Sequence, residues 1–251
     1  MGQSVMRRAV TPLLLRALQL ASAIALPAAL AAGQGSREDS ELRARRLEMV
    51  ERYMVAEGIS DSATLRAMRE VPRHEFVPHQ FRDEAYQNHP LPIGFGQTIS
   101  QPYLVAYMTE LIRPRPGMRV LEVGTGSGYQ AAVLAAVGSD VYTIEIFRGL
   151  ADSARARLNR LGYRKARVRH GDGHVGWPEA APFDAILVTA AASHIPPALT
   201  RQLRLGGRMV IPVGSVYGAQ YLILVEKDTS GELRTANLLP VMFVPMLTGP
   251  R

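Results

Sequence analysis

The residues best suited to chemistry form a glycine-rich turn that is followed by two separate carboxylates. The turn spans residues 124–128 (GTGSG), and glycines at alternate positions let a ligand approach the backbone closely. Glu145 follows Gly124 by 21 residues, a spacing at which a carboxylate can accept both hydroxyls of a ribose. Asp172, followed by Gly173, could accept a hydrogen bond from the amine of an adenine. Together these residues predict a nucleoside-binding site.

The turn differs from that of a dinucleotide-binding protein. A dinucleotide fingerprint requires G-x-G-x-x-G, and Tyr129 stands where its last glycine would be. Carboxylates for ribose and adenine, without further phosphate-binding residues, suit a nucleoside better than a pyrophosphate. The pattern therefore predicts S-adenosylmethionine as the cofactor. Asp172 alone is equally compatible with an ordinary Asp-Gly turn, so its assignment depends on Gly124 and Glu145.

A second polar stretch, GQTISQPY at residues 96–103, lies ahead of the glycine-rich turn. Its residue types are typical of surface loops, because Gly, Thr, Ser and Pro favour turns or bond to nearby backbone. A loop this polar can also hold a substrate. By itself, Ser100 is better explained as a turn serine that bonds to its own loop. The residues alone therefore leave both interpretations open.

Short apolar runs alternating with helical segments would position these residues. Helices are predicted at residues 129–137 and 147–161. Buried strands separated by helices are typical of a parallel sheet covered on both faces. The predicted fold class is α/β, a doubly wound, mostly parallel, Rossmann-like sheet with an N-terminal helical extension. The predicted strands are residues 119–123, 141–146, 166–169, 185–189, 208–213 and 221–225.

The N-terminal extension has its own signals. Apolar residues at helical spacing predict a helix that ends at Gly58. A cap at Ser60 or Asp61 predicts a second helix that runs to about Glu70. The two prolines of VPRHEFVP, residues 71–78, exclude a regular helix there.

Composition and charge exclude several classes of site. The 251 residues contain no cysteine, which excludes disulfides, thiolate zinc sites and a cysteine nucleophile. The formal charge of +7 would suit nucleic acid, but it is not clustered, and Arg7, Arg8 and Arg16 lie in one N-terminal segment. The longest basic run, residues 164–169, is more typical of a solvated connection than of a phosphate site. We expect no metal, no nucleic-acid partner and a monomer.

The first residues resemble a secretory signal peptide. Arginines precede an apolar run at residues 17–26, and Pro27 and a small-residue stretch with an Ala29-x-Ala31 cleavage pattern follow. The run is too short to span a bilayer comfortably, so we expect no stable membrane association. We predict that residues 1–40 lie outside the fold and that residues 41–251 form one domain. Its helical, substrate-loop part is residues 41–115 and its cofactor-binding core is residues 116–251.

The chain resembles the protein-L-isoaspartate O-methyltransferases, which are also called protein repair methyltransferases. The similarity runs from about Arg45 to the C-terminus. Its most specific part is GQTISQP, because many methyltransferases share the glycine-rich turn. The motifs that carry the resemblance are VPRHEFVP (71–78), LPIGFGQTISQPY (91–103), VLEVGTGSGYQAAVLA (120–135), RHGDGHVGW (169–177), PFDAILVTAA (182–191) and LGGRMVIPVG (205–214).

The resemblance implies a class I methyltransferase fold. The implied activity transfers methyl from S-adenosylmethionine to the α-carboxyl of L-isoaspartyl residues in damaged proteins or peptides, with S-adenosyl-L-homocysteine as the product. The family's catalytic serine falls on Ser100, and Thr98 is its predicted partner. The implied cofactor-binding residues are Gln97, Thr98, Ile99, Ser100, Gly124, Thr125, Gly126, Gly128, Glu145, Asp172, Gly173 and, less securely, Gln220.

The chemistry suits hydroxyl side chains. A carboxyl group with an ordinary pKa near 4 is already ionised at neutral pH, so the attack on a sulfonium methyl needs no general base. The enzyme must instead hold the carboxylate in line with the leaving sulfur. Ser100 and Thr98, with Gln101 as a helper, are predicted to orient the carboxylate without forming a covalent bond. A close Arg or Lys would make that nucleophile less reactive.

Other classes of function remain as alternatives. A methyltransferase acting on RNA or a small molecule would use the same cofactor, but residues 189–192 read TAAA where amine methylation usually requires N/D-P-P-Y. Tyr129 disfavours a dehydrogenase. An exported binding protein without catalysis is supported only by the signal-like segment. Because S-adenosylmethionine is made in the cytoplasm, we predict a cytoplasmic enzyme, with a periplasmic location as the alternative if residues 1–31 are cleaved.

Overall fold

A computed structural model describes residues 1–2, 39–215 and 218–249 of the chain. Two compact units are present, residues 1–44 and residues 45–251. Of the first unit, residues 39–44 are helical. The predicted signal segment and cleavage pattern lie outside the described residues. The predicted division of the chain at residues 40 and 41 stays a prediction.

The second unit begins with short helical elements. Helical residues 45–50 (α1) run into a π-helical turn, Glu51–Val55, and the next helix is α2, Ser62–Glu70. The Asp61 carboxylate accepts a hydrogen bond from the Thr64 backbone N–H at 2.7 Å, so Asp61 rather than Ser60 is the cap. The VPRHEFVP stretch contains only a 3₁₀ turn, Arg73–Phe76, as its prolines predict. A second 3₁₀ segment covers His79–Glu84.

The polar stretch is not a simple loop. Strands β1 (Leu91–Gly94) and β2 (Gln97–Ile99) form an antiparallel hairpin, and helix α3 (Pro102–Leu111) follows at once. Leu91 pairs with Ile99, and both side chains are buried, which anchors the base of the hairpin in the core. Neighbouring apolar partners therefore give this polar sequence a regular structure that its own composition did not predict.

The main sheet has seven strands in the order β5-β4-β3-β6-β7-β8-β9. Strands β3 to β7 pair in parallel, whereas β8 and β9 are antiparallel to their neighbours. This arrangement confirms the predicted α/β, mostly parallel fold class. The strands are β3 (Arg119–Val123), β4 (Asp140–Glu145), β5 (Ala166–His170), β6 (Phe183–Val188), β7 (Leu203–Gly214), β8 (Gln220–Lys227) and β9 (Leu233–Val241).

Three helices accompany the sheet: α4 (Tyr129–Val137), α5 (Arg148–Arg160) and α6 (Pro197–Gln202). A short 3₁₀ turn, Pro178–Ala180, precedes β6. The predicted helices and strands are confirmed to within about two residues at most ends, but β7 begins five residues before the predicted Arg208. Strand β9 is missing from the prediction, because most of its residues are exposed and form no apolar run.

The core places the site at one edge of the sheet. Central strands β3 and β6 are almost wholly buried, and their Leu121 and Ile186 side chains belong to one apolar cluster. Because β3, β4 and β6 run in parallel, their carboxyl ends meet at the same edge. The glycine-rich turn follows β3 at this edge, where ligands bind in open α/β sheets.

Candidate active site

The glycine-rich turn requires glycine for two separate reasons. Gly124, Gly126 and Gly128 all have positive φ angles, of 100°, 52° and 89°. At Gly124, an added Cβ atom would also overlap the Thr189 hydroxyl. That hydroxyl donates to the carbonyl oxygens of Val123 and Gly124, at 3.0 and 2.7 Å. The ends of β3 and β6 are thereby fastened together beneath the turn.

Glu145 ends β4 beside the turn, as its spacing predicts. Its side chain is 4% exposed, and its two oxygens accept hydrogen bonds from the backbone N–H groups of Gly126 (2.7 Å) and Phe147 (3.0 Å). These bonds fix the carboxylate in one orientation. Each oxygen retains a lone pair for a further donor such as a ribose hydroxyl.

A cavity of about 760 Å³ lies over this edge of the sheet, and we call it the inner cavity. It brings together most of the predicted cofactor-binding residues, although they come from four separate parts of the chain. Those that line it are Gln97, Thr98, Ile99, Ser100, Gly124, Thr125, Gly126, Glu145 and Gly173.

Asp172 does not line the inner cavity. Its Oδ1 atom accepts hydrogen bonds from the backbone N–H (2.8 Å) and ring Nδ1 (3.1 Å) of His174, and its Oδ2 accepts from the Gly249 N–H at 3.1 Å. Burial opposes ionisation of this carboxyl, but the N–H groups of Gly249 and His174 outweigh it and lower the pKa of Asp172. The structure thus uses Asp172 to order its own loop, and its predicted contact with adenine stays a prediction.

Gly128 and Gln220 also lie outside the cavity lining. Gly128 is the left-handed N-cap residue of α4, and an added Cβ atom there would lie 3.3 Å from Leu158. Gln220 is buried, and its amide donates to the Phe243 carbonyl (3.1 Å) and accepts from the Phe243 N–H (2.7 Å). Both residues contact neighbouring parts of the chain and not the cavity, so no contact in the structure supports their predicted cofactor binding.

Glu122 lines the inner cavity, although it was not among the predicted site residues. It is fully buried in β3, and neither carboxylate oxygen has a hydrogen-bond partner among the described residues. The adjacent Thr143 hydroxyl forms its short hydrogen bond with the Thr125 hydroxyl, at 2.6 Å. Burial raises the pKa of Glu122 to about 8, because it outweighs the lowering effect of the nearby Thr143 hydroxyl, and the charge of Glu145 adds to the rise. An acidic residue inside the apolar run RVLEV was the signal that could have identified it.

A second cavity of about 740 Å³, the outer cavity, adjoins the first. Thr98, Ser100, Thr189 and Val244 line both cavities, so the two predicted catalytic hydroxyls lie at the junction. Neither the Thr98 nor the Ser100 hydroxyl bonds to another described residue, in contrast to a turn serine. The remaining residues of the outer cavity are Pro90, Gln101, Leu104, Met242 and Phe243.

The acidic side chains that line the two cavities are two glutamates. Glu122 and Glu145 face the inner cavity, and no described Lys or Arg lines either one. Such a lining favours a cationic ligand in the inner cavity. A carboxylate bound at the junction of the two cavities would meet only neutral hydrogen-bond donors from the described lining.

Comparison with known families gives the decisive observation. A model of the family "Protein-L-isoaspartate(D-aspartate) O-methyltransferase" matches residues 45–250. The chain belongs to this family. The predicted family, fold class and enzyme activity are thereby confirmed, and the match covers all the predicted site residues.

Relatives within the family are similar over most of their length. A protein-L-isoaspartate O-methyltransferase 2 from Polaromonas sp. is 62% identical over 191 residues, which cover 76% of this chain and 90% of the relative. A protein-L-isoaspartate O-methyltransferase 1 from Cupriavidus necator is 51% identical over 243 residues, covering 93% and 92%.

Two solved structures of this family share the fold. A protein-L-isoaspartate O-methyltransferase is 30% identical, with a TM-score of 0.72 and coverage of 82% of this chain and 66% of that one. A Plasmodium falciparum protein described as the same enzyme, in complex with S-adenosyl-L-homocysteine, is 27% identical, with a TM-score of 0.71 and coverage of 80% and 98%.

The C-terminal segment completes the site and had no sequence-based assignment to it. Residues 244–247 line the inner cavity. Ala191 holds this segment, because its N–H donates to the Val244 carbonyl and its carbonyl accepts from the Met246 N–H, both at 2.8 Å. Phe243 lines the outer cavity, Pro245 lines the inner cavity and Val244 lines both, so this segment lies between the two cavities.

The described residues contain neither a metal-binding cluster nor a helix that could span a membrane. No group of three or more His, Asp or Glu side chains in this part of the chain could hold a metal ion. No helix within the described ranges combines the length and the apolar character that crossing a bilayer requires.

Proposed function

We propose that the chain transfers a methyl group from S-adenosylmethionine to the α-carboxylate of L-isoaspartyl residues in damaged proteins or peptides. Membership of the family supports this proposal, as does the described complex of a relative with S-adenosyl-L-homocysteine. The observation that carries the assignment of the site is the position of Ser100 and Thr98, which lie where the two cavities meet.

The inner cavity fits the cofactor. Glu145 presents a fixed carboxylate to the ribose, and the turn at Gly124 and Gly126 exposes its backbone to the ligand. Glu122 offers a buried carboxyl group whose oxygens lack a hydrogen-bond partner among the described residues, and a cationic ligand would favour its ionised form. When bound, S-adenosylmethionine supplies a sulfonium-linked methyl group, and S-adenosyl-L-homocysteine is the product.

The outer cavity would admit the isoaspartyl residue. The hydroxyls of Ser100 and Thr98 donate hydrogen bonds to its carboxylate, and Gln101 lines the same cavity. No proton has to be removed, because the substrate carboxyl is ionised at neutral pH. The absence of Lys and Arg from the described lining keeps this carboxylate nucleophilic while the two hydroxyls hold its direction.

The methylated product can be repaired in later steps that need no residue of this site. The methyl ester has a better leaving group than the free carboxylate, so the neighbouring backbone nitrogen attacks the ester carbonyl, loses its proton and expels methanol, which closes a succinimide. Hydrolysis of the succinimide then returns some normal aspartyl linkage.

RNA or a small molecule remains the alternative substrate. An RNA substrate would place phosphates near the junction, where the described lining has no basic side chain to neutralise them. The apolar residues of the outer cavity, including Leu104 and Phe243, suit a peptide better. This comparison favours the protein substrate.

The decisive experiment measures methyl incorporation into an isoaspartyl peptide, the matching aspartyl peptide and tRNA. We expect incorporation into the isoaspartyl peptide only. Ser100→Ala should lower kcat/KM for this peptide by about 10- to 100-fold, the effect of one hydrogen bond to a charged group. The dissociation constant of S-adenosyl-L-homocysteine should stay within about twofold, since one hydroxyl at the cavity rim contributes little to its binding.

Ser153→Ala provides the matched control, because Ser153 is an exposed serine on α5. It should leave both constants unchanged. Full turnover by Ser100→Ala would contradict the orienting role, and methylation of tRNA in place of the peptide would contradict the proposed substrate.

We further propose that the enzyme is a cytoplasmic monomer that needs no metal and binds neither nucleic acid nor membranes stably. Its location follows from the cytoplasmic supply of S-adenosylmethionine. N-terminal sequencing of the native protein tests it, since a chain that begins at Ala32 would show that the signal-like segment is cleaved. Light scattering tests the oligomeric state, because a mass well above the 27.4 kDa of one chain would contradict a monomer.

A further inference from the structure

The hairpin formed by β1 and β2, residues 91–99, covers the inner cavity, and we call it the covering hairpin. Its second strand carries Gln97 and Thr98, which line the cavity, and leads directly to Ser100. Its first strand touches the glycine-rich turn, because a Cβ atom added to Gly126 would lie 3.2 Å from Ile93 Cδ1. The hairpin thus rests on one wall of the cavity through Ile93.

Phe95 at the tip of this hairpin has an unfavourable combination of properties. Its φ angle is +54°, which bulky residues adopt rarely, and its side chain is 61% exposed. A strained and exposed aromatic residue costs stability unless its contacts compensate. The flanking Gly94 and Gly96 also have positive φ angles, so the chain turns sharply at Phe95.

The Phe95 ring reaches the opposite wall of the cavity. It packs against Phe147, with ring centroids 5.6 Å apart and planes inclined by 35°. Phe147 lines the inner cavity, and its backbone N–H bonds to Glu145. The ring also lies over Gly149 in the first turn of α5, where an added Cβ atom would come within 2.7 Å of Phe95 Cζ. Glycine at position 149 therefore provides the space in which the ring lies.

We infer that Phe95 is a positioning residue whose ring, held against Phe147 and over Gly149, fastens the covering hairpin across the cofactor. The hairpin is then held at both ends, by Ile93 on the glycine-rich turn and by Phe95 on α5. This contact keeps Thr98 and Ser100 at the junction of the cavities and slows release of the nucleoside product. The effect on Ser100 rests on the proposed function, whereas the effect on product release does not.

Three variants test the contact. Phe95→Gly removes the ring but relieves the backbone strain, so a residue needed only for the turn would tolerate it. Gly149→Ala leaves Phe95 in place and displaces its ring, while alanine should not weaken helix α5. The double variant tests whether the two changes act on the same contact.

The first measurement is the dissociation rate of S-adenosyl-L-homocysteine by stopped-flow displacement. We expect both single variants to release the product about three- to tenfold faster than the unchanged protein, the range for loss of one aromatic contact. The double variant should resemble the single variants. The melting temperature of Gly149→Ala should not fall, which separates the contact from general destabilisation.

The second measurement is methylation of an isoaspartyl peptide, in which KM for S-adenosylmethionine should rise more than kcat falls. Leu205→Ala, which shortens an exposed apolar side chain on β7, is the control and should change neither constant.

Normal product release by both Phe95→Gly and Gly149→Ala would overturn the inference. That result is independent of the Ser100→Ala experiment, because it is measured without a peptide substrate. Inactivity of the unchanged protein on isoaspartyl peptides would contradict the proposed function and leave the release measurement interpretable.

Discussion

The inner and outer cavities are built in different ways. The inner cavity rests on strand ends and a glycine-rich turn, and its acidic lining residues, Glu122 and Glu145, are buried. The outer cavity has hydroxyl, amide and apolar side chains, which come from residues 90–104, from Thr189 and from residues 242–244. Most of the inner lining therefore lies on the strand ends of the sheet and the turns that follow them, whereas most of the outer lining lies on segments that pack on the sheet.

This difference separates cofactor binding from substrate placement. A ligand in the inner cavity meets fixed backbone and carboxylate groups, which offer little adjustment. A substrate at the junction meets side chains on elements that are held by a few specific contacts, such as those of Gln220 with Phe243. Changes in the strand ends should therefore affect cofactor affinity, and changes in the packed segments should affect the peptide.

The largest effect is expected for Gly124→Ala. The left-handed backbone costs an alanine about 1–2 kcal/mol, and its Cβ atom would also overlap the Thr189 hydroxyl. We expect the affinity for S-adenosyl-L-homocysteine to fall by at least about 100-fold, as measured by titration calorimetry.

Gly58→Ala is the matched control for this change. Gly58 also has a positive φ angle, of 91°, but nothing lies within 4 Å of an added Cβ atom. The Gly58→Ala variant should lose stability through backbone strain alone and should keep its affinity for the cofactor. Equal losses of affinity in both variants would show that the turn has no special role in the inner cavity.

An intermediate effect is expected for Glu122→Gln, which tests the protonation of the buried carboxyl group. The pKa of Glu122 is raised from 4.5 to about 8, so between these values the folded state keeps a proton that the unfolded state releases. The stability of the ligand-free protein should therefore fall as the pH rises through this window, by up to about 1.4 kcal/mol per pH unit from this group. Glu122→Gln should remove that part of the slope.

Urea denaturation at several pH values between 5 and 8 measures this difference. Glu57→Gln, which alters an exposed carboxylate, should give a profile parallel to that of the unchanged protein. A parallel profile for Glu122→Gln as well would mean that the buried carboxyl does not titrate in this range.

The smallest effect, and the sharpest test of the comparison, concerns two buried glutamines. Gln220 holds the backbone of Phe243 at the outer cavity, whereas Gln202 bonds to the Trp177 N–H and the Val175 carbonyl, beside the Gly173 loop of the inner cavity. Each replacement by alanine leaves two backbone groups without partners and should cost about 1–3 kcal/mol of stability.

The two variants should differ in function. Gln220→Ala should raise the peptide KM by about threefold and change cofactor affinity less, and Gln202→Ala should do the reverse. Steady-state kinetics and titration with S-adenosyl-L-homocysteine give both values. The same pattern in both variants would mean that the cavities are not independently supported.

Local pattern was sufficient for much of the α/β core. The apolar run at residues 119–123 and the helix at residues 129–137 agree with the prediction residue for residue, because their periodicity and glycine boundaries are local signals. Gly124 and Glu145 were likewise identified by spacing, since a strand, a turn and a helix of normal length bring them together. The polar stretch at residues 96–103 was predicted to be part of the site, but its hairpin was not predicted.

The sequence by itself determined the family, the order of the core strands along the chain and the groups that the chemistry requires. Only the tertiary structure decided which of those groups face the cavities. Asp172 bonds to its own loop, Gln220 supports the C-terminal segment, and Glu122 has no partner among the described residues. The physical reason is that a side chain's partners at an edge of a sheet come from segments far apart in the chain, and spacing cannot specify which of them it will contact.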